Sequence, residues 1–178
     1  MGVVLNYARH WVFLIIACVL ATGGAQAQTG RTAVSGLSEQ FEDWTVQCAE
    51  ANGIIVCTMQ QDVRPQGQAE RLVAARIDLL EGDMPRLTLI LPLGLDLEAG
   101  IELFPGTSQA AVASLSPRVC QQSECYAFMS LAPDFLQTVS ERIALRIRMT
   151  PFNGQAIEVP LSLRGFSDAL EMLNSLQE

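Results

Sequence analysis

Four cysteines in two close pairs do most to constrain what this chain can fold into. Cys48 and Cys57 bracket a segment that includes Ala49-Glu50-Ala51-Asn52-Gly53, and Cys120 and Cys125 bracket Gln121-Gln122-Ser123-Glu124. Asn52-Gly53 supplies two residues that tolerate positive φ, so the flanking runs can fold back and bring two thiols within bonding distance. Four cysteines allow three pairings, and these short turns favour Cys48 with Cys57 and Cys120 with Cys125. Each bridge then staples a hairpin. On the loop-entropy account such short loops contribute about 2 to 3 kcal/mol apiece, a large share of the roughly 5 to 15 kcal/mol that holds a domain.

Disulfides need an oxidising compartment, and the N-terminus reads as an address for one. Residues 1 to 27 carry Arg9, an apolar run from Trp11 to Ala21, and a small-residue step Ala25-Gln26-Ala27, the pattern of a secretory signal. The apolar run is shorter than the roughly 18 residues that suggest a spanning helix, so the expected mature chain has no membrane anchor. Ile15-Ile16-Ala17-Cys18 also loosely resembles a lipoprotein box, which leaves lipidation at Cys18 as a second processing route. Location in the periplasm, or peripheral association with the outer membrane, is expected.

Charge narrows the chemistry further. There is no lysine, and the single histidine, His10, lies in the leader. Cleavage after Ala27 leaves ten arginines against nineteen acidic residues, a net charge of −9, which disfavours nucleic acid as a partner. Without Lys or His there are no lysine Schiff bases, P-loop lysines, Ser-His or Cys-His nucleophiles, or His-ligated metals. The C-x8-C spacing is wide for structural zinc, and no Cys-x-x-Cys redox motif occurs. No cofactor is expected. Calcium at Asp78, Glu81 and Asp83 lacks an EF-hand loop.

Along the chain, Gln28 to Gln40 is a flexible lead-in rich in small residues, and a single domain runs from Phe41 to Glu178. Trp44, Val46 and Cys48 share one side of a half-buried strand, with Ile54 to Gln60 as its partner. Arg71 to Leu80 and Arg86 to Leu91 are further strands joined through Glu81 to Pro85. Leu95, Leu97, Ile101 and Leu103 keep an apolar face broken at Ala99-Gly100, and a Ser- and Ala-rich connection follows. Arg118 to Cys120 and Cys125 to Leu131 form the second stapled hairpin, and Pro133-Asp134-Phe135-Leu136 begins a short helix. Ile143 to Met149 turns at Pro151-Phe152-Asn153-Gly154 into Ile157 to Leu163, and Phe166, Ala169, Leu170, Leu173 and Leu176 mark a C-terminal helix capped by Ser167. Short strands with regular turns and a terminal helix indicate an all-β sandwich. Trp44 is the expected core aromatic, packed by the nearby Cys48 disulfide.

The residues also carry a resemblance. Phe41-x-x-Trp44-x-x-x-Cys48 with Cys57, Leu91-Pro92-Leu93-Gly94-Leu95 with Gly100-Ile101, Cys120-x4-Cys125, and Pro160-Leu161-Ser162-Leu163-x-Gly165-Phe166-x-x-Ala169-Leu170 together resemble the invasion-associated locus B protein family. The resemblance implies an exported envelope protein with an immunoglobulin-like β-sandwich fold. It carries no catalytic set, only the four cysteines and Trp44 as structural residues. The expected function is a non-catalytic module binding an envelope or host protein, with Glu81 to Pro85 and Phe104 to Ser108 as candidate contact loops. Two alternatives are a virulence factor promoting host-cell adhesion or entry, and a hydrolase working through Asp43, Asp96, Glu98 and Glu102.

Overall fold

The computed structural model describes residues 36–64, 67, 69–80 and 84–176. The leader, Cys18, and most of the lead-in lie outside the described residues. Eleven strands and two helices follow in chain order: β1 Ser38–Phe41, β2 Trp44–Ala51, β3 Ile54–Val63, β4 Val73–Leu80, β5 Met84–Pro92, β6 Ile101–Pro105, β7 Ala113–Leu115, β8 Pro117–Cys120, β9 Glu124–Ser130, α1 Pro133–Ser140, β10 Ala144–Met149, β11 Ile157–Ser162 and α2 Phe166–Ser175. They build two antiparallel sheets, one of seven strands ordered β1-β2-β3-β4-β5-β9-β8 and one of four ordered β11-β10-β6-β7.

Period-two patterning decides which side chains fill the space between them. Trp44 and Val46 of β2, Met59 of β3, Val73, Ala75 and Ile77 of β4 and Leu87, Leu89 and Leu91 of β5 meet Ile101, Leu103, Leu145, Ile147, Met149 and Leu161 of the small sheet in one buried cluster. Helix α2 packs on β1 to β4. Its Phe166 sets an edge-to-face contact on Trp44, ring centroids 5.3 Å apart.

One polar residue interrupts this inner face, and it ties the sheets together. Gln61 of β3 is buried; its Nε2 donates to the Ser162 carbonyl at 3.1 Å, and its Oε1 accepts from the Ser162 N–H at 2.9 Å. The side-chain amide therefore does for β11 what a neighbouring backbone would. Trp44 Nε1 donates to the same Ser162 carbonyl at 3.0 Å. Among the described residues every buried side-chain nitrogen and oxygen has a hydrogen-bond partner, as a dry interior demands.

Several local expectations need correction. β1 begins at Ser38, inside the presumed lead-in, because Ser38 to Phe41 pair with Trp44 to Gln47. Leu95 and Leu97 form no strand: Asp96 Oδ1 accepts the backbone N–H groups of Glu98 and Ala99 at 3.0 and 3.3 Å, which folds a turn and leaves Leu97 exposed. The Ser- and Ala-rich connection contains β7. Helix α2 is capped by Gly165 in the left-handed region (φ 76°), not by Ser167, and a Cβ at Gly165 would overlap the Phe41 carbonyl.

Candidate interaction surface

The staple between β2 and β3 marks the most unusual part of the surface. Cys48 lies directly opposite Cys57 in the ladder, and the two are joined with their Cα atoms 4.0 Å apart. Both half-cystines are buried, whereas the hairpin beyond them stands in solvent. Asn52 (φ 54°) and Gly53 (φ 78°) close its tip as a two-residue turn. Ile54 is 67% exposed, Ile55 42% and Val56 45%. A half-buried strand hides every second residue, so three consecutive exposed β-branched residues mean that neither face of the tip is covered. From Ala51 to Gln61 there is no charged residue. A groove of about 450 Å³ runs beside the tip, lined by Leu37, Gln47, Val56, Thr58 and Arg76 among others.

The second staple, Cys120–Cys125, also joins directly paired residues, and beside it lies a polar cluster. Glu124 accepts hydrogen bonds from Arg71 and, at 3.0 Å, from the Tyr126 hydroxyl. The Arg71 guanidinium foremost, with the Tyr126 hydroxyl second, holds the Glu124 carboxyl below its ordinary range, and Glu124 in turn raises the Tyr126 phenol. A cavity of about 420 Å³ opens here, between Arg71, Leu72, Ile90, Ser123 and Glu124. On the small sheet, Arg146 and Arg148 lie over the Phe104 ring at 5.2 and 4.2 Å, and both donate to Glu158. Glu158 is held low by Arg148 first and Arg146 second. These arginines are matched by acids within the fold, so neither cluster presents a free basic patch.

The other expected site residues have structural partners. Asp43 accepts from the Ser162 hydroxyl at 2.6 Å, and Arg164 beside it donates to Glu42 at 2.8 Å. Asp96 folds its own turn, Glu102 lies 3.5 Å from Arg148, and Glu98 sits in the loop that Asp96 organises. None of the three described cavities is lined by these four carboxylates. Asp78 pairs with Arg86, while Glu81 and Asp83 lie outside the described residues. Of the two candidate contact loops, Met84 and Pro85 already belong to β5, and Phe104 is buried. Gly106 is braced by Arg146 Nε at 2.8 Å. The tip at Ile54 to Val56 went unsuspected because its alternation with β2 reads as half-buried.

Two antiparallel sheets and two cross-strand disulfides define a stapled β scaffold. Among the described residues no cluster of metal-binding side chains occurs, and no helix is long and apolar enough to cross a membrane. The chain belongs to the invasion-associated locus B family, whose model matches residues 44–174. It is 26% identical over 143 residues to an invasion protein B homolog of Brucella abortus (strain 2308), covering 80% of this chain and 82% of that one. Invasion protein B of Bartonella bacilliformis is 27% identical over 148 residues, covering 81% and 78%. The crystal structure of invasion-associated protein B from Bartonella henselae superposes with a TM-score of 0.71 at 22% identity, over 80% of this chain and 97% of that chain, and so shares the fold.

Proposed function

We propose that this chain is an exported, non-catalytic interaction module of the cell envelope, periplasmic or peripherally held at the outer membrane, that recognises a protein through the tip of the β2–β3 hairpin. The carrying observation is the apolar β3 side of the tip, Ile54 to Val56, exposed on both faces and fixed at its base by Cys48–Cys57. A stapled hairpin orders its contact residues before binding, which lowers the entropy cost of association. Two disulfides and the signal-like leader support export. The relatives are named invasion proteins, which favours a second reading in which the recognised protein belongs to a host cell.

Affinity capture tests the proposal. A tagged chain, exposed to envelope extracts of cells that also carry the untagged protein, should retain a defined polypeptide. The double variant Ile54→Lys/Val56→Lys should lose it while keeping both disulfides and the wild-type circular dichroism. Equal retention by the variant, or retention of nothing, would sink the proposal; a polypeptide drawn only from host extracts would favour the second reading.

A further inference from the structure

The hairpin tip has an open backbone edge as well as apolar side chains. Cys48 donates its N–H to Leu37 at 3.0 Å and accepts from Gly36 at 3.1 Å, so its backbone groups point away from β3. Cys48 and Cys57 are therefore a non-hydrogen-bonded pair, and the N–H and C=O of Cys57, like those of Ile55 two residues earlier, point away from β2. They face the side where β4 lies, yet the pairing of β3 with β4 runs only from Val63↔Val73 to Met59↔Ile77. Beyond that point β4 pairs with β5 alone, through Asp78↔Arg86 to Leu80↔Met84. Among the described residues no strand pairs with Ile54 to Thr58 on this side.

Such edges are usually blunted, and the outer edges of this fold are. β1 is four residues long and carries Glu39; β8 carries Pro117, Arg118 and a register shift. β11 carries Glu158 and Pro160, and β7 has three residues. The Ile54–Thr58 edge has no charge, proline or bulge. Hydrocarbon cannot satisfy its N–H and C=O groups, so bilayer insertion would leave them orphaned. Another backbone strand can.

We infer that this edge pairs antiparallel with the same edge of a second copy of the chain. An antiparallel edge is its own complement under a two-fold axis. The full-length chain carries a net charge of −8, and copies repel wherever acidic faces meet; the run from Ala51 to Gln61 carries no charge, and Glu50, opposite Ile55, lies on β2, one strand back from this edge, so two copies can approach closely here. The inference rests on the tip being the contact element, and adds what occupies it. Five residues of edge make a small interface, so the pair is weak and forms with rising concentration.

Sedimentation equilibrium of the mature, disulfide-intact protein over a concentration series tests this. The mass should rise from one protomer toward two, and the Ile55 and Cys57 amides should exchange more slowly as it does. Ile55→Pro removes an edge N–H without removing a β2–β3 hydrogen bond, and should abolish the rise. Because that variant also restricts the backbone, Ile54→Lys/Val56→Lys serves as a second that repels the other copy from outside the ladder. A one-protomer mass at every concentration up to the millimolar range, or a rise untouched by either folded variant, overturns the inference. If that monomer still retains a different protein through the tip, the proposed function survives without it; if it retains nothing, both fall.

Discussion

Replacing Gln61 by Leu should cost far more than its place among aliphatic neighbours suggests. The substitution keeps side-chain volume close and adds apolar surface, so a purely hydrophobic account expects little loss. The geometry expects otherwise, because Ser162 N–H has Gln61 Oε1 at 2.9 Å as its partner and would be left unpaired in a part-buried site. An orphaned donor costs roughly 1–3 kcal/mol. The Ser162 carbonyl loses Gln61 Nε2 but keeps Trp44 Nε1, so it adds less than about 1 kcal/mol. The total is about 1–4 kcal/mol, and at roughly 2–4 °C per kcal/mol for a domain of this size Tm should fall by roughly 2–16 °C. Urea titration with both disulfides intact measures it. Adding Trp44→Phe should make the pair more costly than the sum of the single changes, since the shared carbonyl then loses both donors. A Gln61→Leu protein within about 0.5 kcal/mol of wild type, the range of an ordinary surface change, would refute the clamp.

Other consequences follow from the same structure. Gly165→Ala should destabilise by about 2 kcal/mol or more, combining a left-handed backbone with overlap on the Phe41 carbonyl; wild-type stability by urea titration would contradict it. Replacing Cys48 and Cys57 together by Ala should cost about 2 to 3 kcal/mol on the loop-entropy account, and reduction of that bridge alone should match it. Glu124 and Glu158 have folded-state pKa values below their ordinary value of 4.5, so their contribution is present above that pH and lost as pH falls below it. Glu124→Gln should therefore flatten the acid limb of the stability curve, and high salt should flatten it further; an unchanged limb would count against the Arg71 pairing.

Much of the architecture was legible because inward residues recur at period two, and the hairpins at Asn52-Gly53 and Pro151 to Gly154 fall at residues suited to turning. The failures have local causes. Leu95 and Leu97 satisfy a strand pattern, but the Asp96 carboxylate captures two N–H groups and bends the chain. Ala113-Ser114-Leu115 is too short for any period to declare itself. Gln61 was readable as a polar residue in an inward register, following Cys57 and Met59, although its partner 101 positions away was not. The exposed tip was hidden for a different reason. Whether Ile54, Ile55 and Val56 are covered depends on where β4 leaves β3, which no residue within the hairpin specifies.

The account turns on that tip as the contact element, and site-specific photocrosslinking in living cells tests it most directly. A photoreactive residue at Ile55 is compared with one at Phe152, an exposed apolar control at 73% in the β10–β11 turn. Discrete protein adducts from position 55 and none from 152 are the predicted result. Adducts from 152 alone, or from neither position, would contradict the assignment.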